Sequence, residues 1–320
     1  MRCTASCAIR SERDTAAHRS ESARGDRTAR LESFVVDGAA SVASTRPQPV
    51  VIRPPKRWVG FGLRELWRFR ELLVFLAWRD LKVRYKQTLL GVVWAVLQPL
   101  LYTFVATLIF KRLLDVYSVG PYELLALSGF VFWLPFANAV TLASNSLVGN
   151  ASLVTKIYFP RLLAPLGTIV ATGVDLVLST GLLLVVMAAY GYFPDPARVW
   201  VAIPAVLVAA ATAIGVGSWL AALNVKYRDI RFVVPFVLQL WLFGSSVFIT
   251  FDALNLSEPW ATIYWLNPMA GAVEAFRWSM LGGVRPEVAH VAISGCMSLV
   301  LFVAGVIFFR RKEREFADIV

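Results

Sequence analysis

Histidine and cysteine are scarce in this chain, which limits the chemistry it can carry out. Of 320 residues, two are histidine, His18 and His290, and three are cysteine, Cys3, Cys7 and Cys296. These numbers exclude an H-E-x-x-H site, a Ser/His/Asp triad, a zinc site and a disulfide framework. We therefore expect no catalytic residues and no metal ligands on this chain.

A phosphate-binding P-loop is lacking as well. That motif needs a lysine between a glycine and a serine or threonine, so that backbone amides and the ammonium group surround the phosphates. No lysine in the chain follows a glycine. The sequence predicts that the chain neither binds ATP by this route nor holds a cofactor of its own.

Charged residues make up only 17% of the chain, whereas 58% is hydrophobic, and the mean hydropathy is +0.62. Because soluble domains of this length are far more polar, most of the chain is predicted to lie in lipid. The net charge of +11 would suit a nucleic-acid partner. None is expected, however, since the basic residues cluster beside long apolar runs.

Residues 1–55 are rich in Arg, Ser, Ala and Thr, have almost no large apolar residue before Phe34, and end in a proline-rich stretch. Such a composition predicts a disordered basic tail, because it offers too little apolar surface to bury. A regulatory arm is the alternative. The tail has no apolar signal-peptide core.

The next segment, 56–88, is predicted to be an amphipathic helix lying in the membrane interface. Its charges recur with helical spacing at Arg64, Arg68, Glu71, Arg79 and Lys82. Apolar side chains occupy the opposite face: Leu66, Phe69, Leu73, Leu76 and Ala77. A charged lead-in to the first membrane span is the alternative.

Six apolar runs of membrane-spanning length follow, since about 20 helical residues cross the hydrocarbon core. They lie near 89–110, 122–143, 162–190, 199–222, 232–251 and 287–309. Lys and Arg accumulate on the flanks at 79–86, 156–161, 226–231 and 310–314. Because such residues favour the cytoplasmic side, both termini are predicted to be cytoplasmic.

Residues 144–161 form a predicted cytoplasmic loop with a polar start, an apolar helix-like centre and a stop at Pro160. Such a loop can present a short helix to a cytosolic partner; a plain connector is the alternative.

Asp175 lies about 21 Å along a helix from Arg161, which places a carboxylate near the middle of the membrane. A charge there is costly, so it must face protein, water or a partner. One interpretation is a substrate-path or proton-relay residue. The alternative is a carboxylate satisfied by a neighbouring helix or a protonated packing residue.

The segment 252–285 is extracytoplasmic in this topology, yet apolar and aromatic. Asn267-Pro268 breaks it into halves too short to span, which predicts re-entrant or interfacial half-helices. Glu274 and Arg277 are three residues apart and share a helix face. An outer gate would use Tyr264, Trp265, Asn267, Pro268, Glu274 and Arg277. An aromatic belt is the alternative.

Four stretches, taken in order, resemble the permeases of polysaccharide ATP-binding cassette (ABC) exporters, which serve O-antigen, teichoic acid and capsule export. They are WRDLKVRYKQTLLGVVWAVLQPL at 78–100, ASLVTKIYFPRLLAPL at 151–166, NVKYRDIRFVVPF at 224–236 and YWLNPMAGAVEAFRW at 264–278. The resemblance covers about 65–315 and leaves out the first 55 residues.

The resemblance implies an all-α membrane protein with an interfacial helix, six transmembrane helices at 89–315 and short gate helices before the last span. It implies two permease chains paired with two ATP-binding chains that hold ATP and Mg²⁺, in a bacterial plasma membrane. The loop 144–161 would then couple to the ATPase through Ser152, Lys156, Tyr158 and Arg161. Asp175 matches a position where the family often carries Asp.

The cargo implied by the resemblance is a lipid-linked polysaccharide. The basic run Arg79, Lys82, Arg84 and Lys86 is a candidate site for its anionic head group, and general attraction to lipid is the alternative. Two rivals remain open: a permease for drugs or small lipids, and a membrane-embedded glycan-processing enzyme. The enzyme would need convergent catalytic residues, whereas the charges of the outer segment are spread along it.

The predicted topology is testable by labelling single cysteines in intact cells. A cysteine at Ser118 or Leu256 should react with an impermeant maleimide from outside, because Lys and Arg are sparse on that side. One at Ser152 or Glu313 should react only after permeabilisation. The reverse pattern would overturn the orientation.

Overall fold

The computed structural model describes residues 63–86, 92–113, 120–151, 159–254, 257 and 259–313. Within these ranges every regular element is a helix, which confirms the all-α prediction. The tail predicted at 1–55 lies outside the described residues, as do Ser152, Lys156 and Tyr158 of the predicted coupling loop.

Eleven α-helices occupy the described ranges. They are α1 Leu63–Arg68, α2 Arg70–Lys86, α3 Val93–Ala106, α4 Tyr122–Gly149, α5 Leu163–Ala189, α6 Pro196–Val199, α7 Ala202–Lys226, α8 Ile230–Phe243, α9 Trp260–Trp265, α10 Pro268–Leu281 and α11 Val288–Lys312. A π-helix, Thr107–Leu113, continues α3, and a 3₁₀ turn, Phe251–Leu254, precedes α9.

In the described part of the chain, five helices are long and apolar enough to cross a membrane. They are Val93–Lys111, Tyr122–Gly149, Leu163–Ala189, Pro196–Lys226 and Val288–Lys312. Each covers one of the runs expected from the sequence. The chain is therefore a multi-pass membrane protein.

The run at 232–251 is not one continuous helix, because α8 stops at Phe243. Its 14 residues rise only about 21 Å, less than the hydrocarbon core of about 30 Å. Ser245 donates its hydroxyl to the Trp241 carbonyl at 2.7 Å, and Ser246 adopts φ 54°. That left-handed backbone cannot continue an α-helix.

Three long helices, α4, α7 and α11, run in the same direction. In two parallel helices, the numbers of the contacting residues rise together. For α7 and α11 the contacts are Val208 with Gly295 and Gly215 with Gly305. For α4 and α7 they are Val140 with Gly217 and Ser144 with Asn224. The chain must therefore cross back between α7 and α11, and α8 lies in that interval.

The other long helices run the opposite way. Residue numbers fall in one segment as they rise in the other. Between α4 and the continuous helix of α3 and its π-helix, the ring contacts are Tyr102 with Phe130 and Phe110 with Tyr122. Between α4 and the chain from α8 onward, they are Phe136 with Trp241 and Phe130 with Phe248. The start of α5 meets the end of α11, where the Arg161 amide donates to Glu313 at 2.9 Å. Directions thus alternate along the chain.

The segment predicted as the interfacial helix contains α1 and α2, separated at Phe69. Leu76 packs beside Gly167 and Arg84 contacts Asp175, and both pairs are 91 residues apart, so α2 runs parallel to the first part of α5. Leu76 and Ala77 are buried as expected, but Phe75 and Trp78 are exposed. Apolar side chains therefore cover more than one face of α2, and its position in the interface stays a prediction.

Glycines bring α7 and α11 into backbone contact. A Cβ atom on Gly305 would lie 2.0 Å from the carbonyl oxygen of Gly215. Small residues at helix crossings allow this approach in membranes, where van der Waals packing replaces the hydrophobic effect between helices. The Thr212 hydroxyl donates to the Ser298 hydroxyl at 2.9 Å across the same interface.

We expect Gly305→Ala to destabilise the protein by about 1–3 kcal/mol, the usual cost of overpacking a tight contact. The matched control is Gly181→Ala on α5, where an added Cβ atom meets nothing within 4 Å. Thermal unfolding of the purified protein in detergent measures both. Equal midpoints for the two variants would contradict the close crossing.

Candidate functional site

Arg161, at the end of the predicted coupling loop, is joined to the end of the last helix. Its backbone amide donates to the Glu313 carboxylate at 2.9 Å, and its guanidinium donates to the Glu313 carbonyl oxygen. Phe159, Leu162 and Phe309 are buried in one apolar cluster beside this contact. A displacement of the loop would therefore act on α5 and α11 together.

Asp175 is buried and satisfied by α2. Its carboxylate accepts hydrogen bonds from the Arg84 guanidinium and the Tyr85 hydroxyl, and the residue is 7% exposed. A carboxylate in this setting needs such partners because water is absent from the apolar interior. The contact matches the alternative in which a neighbouring helix satisfies the charge, and it fixes α2 against α5.

A pocket of about 150 Å³ adjoins this pair. Besides the three charged and phenolic side chains it is lined by the polar residues Gln98, Asn138 and Ser179. Sequence reasoning missed these three. The available signal was the one side-chain amide in each of two apolar runs, 89–110 and 122–143, whereas Ser179 is one of several hydroxyl residues in the third run.

The four candidate head-group residues have different surroundings. Arg84 is turned into the Asp175 pair, and Arg79 pairs with Asp80 at 2.7 Å. Lys82 and Lys86 are exposed. The structure thus does not bring the four side chains into one cluster, and only the two lysines are presented outward.

The predicted outer gate is a helical hairpin, α9 and α10, broken at Asn267. The Asn267 Oδ1 atom accepts from the Met269 amide at 3.0 Å and so caps α10, and it also accepts from the Trp241 indole at 2.7 Å. Pro268 occupies the first position of α10 and is buried. Proline suits that position because its missing amide hydrogen would have no helical partner.

The turn of this hairpin packs against α11. The Ser294 hydroxyl donates to the Trp265 carbonyl at 2.7 Å, and the Trp265 ring stacks on His290 with centroids 4.8 Å apart. Ser294 is six residues into α11, so the turn lies about 9 Å from the start of that helix. The Tyr264 hydroxyl contacts Ser246 in the segment after α8.

Glu274 and Arg277 form an ion pair at 3.2 Å, as their spacing suggested. Arg277 is 4% exposed and donates to the Ser246 carbonyl at 2.5 Å and the Val247 carbonyl at 3.2 Å. Glu274 accepts from the Phe251 amide at 2.9 Å. The pair therefore satisfies backbone groups that the end of α8 leaves without helical partners.

Comparison with known proteins gives consistent results. A family model described as ABC-2 type transporter matches residues 71–281. The chain is similar to the O-antigen export system permease protein RfbA of Myxococcus xanthus, with 28% identity over 259 residues, covering 80% of this chain and 98% of that protein.

Two further similarities concern polysaccharide export. The O-antigen export system permease protein RfbA of Klebsiella pneumoniae is 28% identical over 251 residues, covering 78% of this chain and 95% of that protein. The capsule polysaccharide export inner-membrane protein CtrC of Neisseria meningitidis serogroup B is 28% identical over 225 residues, covering 67% and 80%.

The Asp175–Arg84 pair can be tested by a double-mutant cycle. Asp175→Leu or Arg84→Met alone should destabilise the protein by roughly 1–3 kcal/mol, because each leaves a mostly buried charge without its partner. The double variant should recover much of the loss, since it removes both charges.

The readout is the thermal unfolding midpoint in detergent. Asp80→Asn, which disrupts the more exposed Arg79 pair, is the matched control and should cost less than about 1 kcal/mol. Additive single effects in the double variant would contradict coupling between α2 and α5.

Proposed function

Because the chain belongs to the ABC-2 type transporter family, we propose that it is the permease subunit of an ABC exporter for a lipid-linked polysaccharide. The observation that carries the proposal is the similarity to two O-antigen export permeases and a capsule export protein over most of their lengths. The chain is thus a transport subunit, and its cargo is the surface glycan of the cell.

The permease crosses the membrane six times. The alternation of helix direction supports this number, because α7 and α11 are parallel and a return crossing must lie between them. α8 and the segment Gly244–Thr250 supply that crossing. An irregular segment is tolerated at membrane depth when protein groups satisfy its backbone, as Asn267 and Arg277 do here.

Both termini face the cytoplasm of a bacterial cell. The ends of α7 and α11 lie on one side, since the helices are parallel, and these ends carry Lys226, Arg228 and Arg310 to Lys312. The start of α5, with Arg161, is on the same side. Lys and Arg concentrated on one side of short loops favour a cytoplasmic location.

A separate ATP-binding chain supplies the energy, with ATP and Mg²⁺ held there. This follows from the family and from the missing P-loop. The predicted loop 144–161 is shorter than expected, because α4 extends to Gly149. The segment from there to Arg161 receives the partner, and its return end is bonded to α11 through Arg161 and Glu313. Two copies of the permease form one transporter, with two copies of the ATPase.

The α9–α10 hairpin is the outer gate. Its turn is bonded to α11 at Ser294, so one helix of 25 residues connects the coupling side to the hairpin. A straight helix transmits displacement along its axis because its hydrogen bonds run parallel to that axis. Movement of the loop at Arg161 would thereby reach the gate.

Two rival functions fit the observations less well than polysaccharide export. A permease for drugs or small lipids would have the same helices, but the similarity to three polysaccharide export proteins favours a glycan as the cargo. A glycan-processing enzyme fits less well, because the Glu274 carboxylate already accepts hydrogen bonds from the Phe251 backbone amide and the Arg277 guanidinium.

The function is tested by deleting the chain in the cells that carry it. Surface polysaccharide should disappear, while lipid-linked polymer accumulates on the cytoplasmic side, because export then lacks its membrane path. The Lys156→Glu variant is then expressed in the deletion strain. It should assemble with the ATPase but restore only a small part of the polysaccharide export, because the change reverses a charge in the predicted coupling loop.

Arg228→Glu is the matched control, because Arg228 is an exposed basic residue in the other predicted cytoplasmic turn. It should restore export. Normal surface polysaccharide in the deletion strain would refute the proposed function, whereas full export with Lys156→Glu would refute only the coupling role of the loop.

A further inference from the structure

A second cavity, of about 280 Å³, lies beside the α9–α10 hairpin on the side where α4 begins. We call it the exit pocket. Its walls come from four elements far apart in sequence, namely the start of α4, the turn after α5, the 3₁₀ turn and the C-terminal half of α10. Its lining includes Tyr192, Asp252, Glu274 and Trp278.

The exit pocket presents unused acceptors. Within the described ranges the Asp252 carboxylate has no hydrogen-bond or ion-pair partner, and Glu274 uses only its Oε1 atom, for Phe251 and Arg277. A carboxylate oxygen accepts more than one hydrogen bond, and those from hydroxyl groups to a charged acceptor are among the stronger kinds. Two carboxylates thus face one cavity with capacity to spare.

The pocket also presents aromatic surface. Trp278 is half-buried in its wall, with the Arg285 guanidinium 5.6 Å from the ring centroid, and Tyr192 is exposed. Aromatic side chains offer a flat apolar face together with a polar edge. A mostly apolar lining with a few converging polar groups is the usual composition of a small-molecule site.

Backbone geometry keeps the pocket open at its rim. Gly282 and Gly283 have φ 78° and 85°, a region that other residues rarely adopt. A Cβ atom on Gly282 would lie 2.5 Å from the Arg198 guanidinium. The rim therefore favours glycine at both positions because of the backbone conformation, whereas the flexible Arg198 side chain could move away from an added Cβ atom.

The charges around the pocket favour an uncharged ligand. Arg277 is buried, and its guanidinium is engaged by Ser128, Glu274 and two backbone carbonyls. Arg198 pairs with Asp195 at 3.3 Å. Arg285 lies on the Trp278 ring but is not part of the lining. The two carboxylates that line the cavity would repel an anionic phosphate, whereas the hydroxyls of a sugar would find free acceptors beside an aromatic face.

We infer that the exit pocket binds one neutral sugar ring of the outgoing polymer, an inference that rests on the proposed function. Its volume lies just below the range of about 300–1,000 Å³ typical of small-molecule sites, which suits one ring and not a folded chain. Because Glu274 also holds the segment after α8, a bound ring would contact a residue that positions the gate.

Chemical protection of an introduced thiol tests the pocket in the full chain. Val284 lines the pocket and is exposed, so Val284→Cys is placed in a variant with Cys3, Cys7 and Cys296 changed to Ser. The probe is the repeat-unit oligosaccharide released by mild acid from the surface polysaccharide of the same cells. Surface polysaccharide made with this variant verifies that it folds.

Modification by an impermeant maleimide should slow about fivefold at a probe concentration four times its Kd, since the rate falls by the factor 1 + [L]/Kd. Asp252→Asn should weaken binding about tenfold by removing a charged acceptor, which leaves only about 1.4-fold slowing. The matched control, Glu287→Gln, changes an exposed carboxylate outside the pocket and should leave the protection intact.

Absence of protection in a chain that still exports polysaccharide would overturn the pocket and leave the proposed function standing. Equal loss of protection by the oligosaccharide in the Asp252→Asn and Glu287→Gln variants would also overturn the pocket. So would protection by inorganic pyrophosphate but not by the oligosaccharide, because that pattern belongs to an anion site. Normal surface polysaccharide in the deletion strain, with protection retained in the purified protein, would count against the transport role alone.

Discussion

The half of this protein that contains the α9–α10 hairpin depends on one constraint: backbone amides and carbonyls at membrane depth must find partners within the protein. α8 ends at Phe243, and after Ser245 the chain leaves the helical hydrogen-bond pattern. Asn267 donates to the Gly244 carbonyl, and Arg277 donates to the carbonyls of Ser246 and Val247. The hairpin therefore holds the irregular segment in place, and the segment in turn positions the hairpin.

This mutual support explains the placement of charged residues where lipid would exclude them. Arg277 can be buried because its guanidinium donates to two backbone carbonyls, to the Ser128 hydroxyl and to the Glu274 carboxylate. Glu274 offsets its charge and accepts from the Phe251 amide. The same two residues form one wall of the exit pocket, so the interaction that repairs the broken crossing also builds the site proposed for a sugar ring.

α11 extends from the α9–α10 hairpin to Arg161. Near its start it is bonded to the hairpin through Ser294, in its C-terminal half it contacts α7 through Gly305 and Gly215, and just after its end Glu313 is bonded to Arg161. Backbone contact at the glycine crossing leaves little room for α11 to move independently of α7. Near the middle of α5, the Asp175–Arg84 pair joins α2 to α5 in a similar way.

Hydropathy alone determined five of the long helices and the multi-pass character, because a helix that satisfies its own backbone in lipid needs only a long apolar run. The sequence also predicts the break at Asn267-Pro268, because asparagine caps the start of a helix and proline suits its first position, whatever the rest of the fold. Tertiary structure decided the rest. Arg84 pairs with Asp175, and Arg277 donates hydrogen bonds to the segment after α8. Asp252 and Glu274 line the same cavity. These contacts join residues distant in sequence or on separate elements, and no local pattern encodes a partner that only the packing of helices brings near.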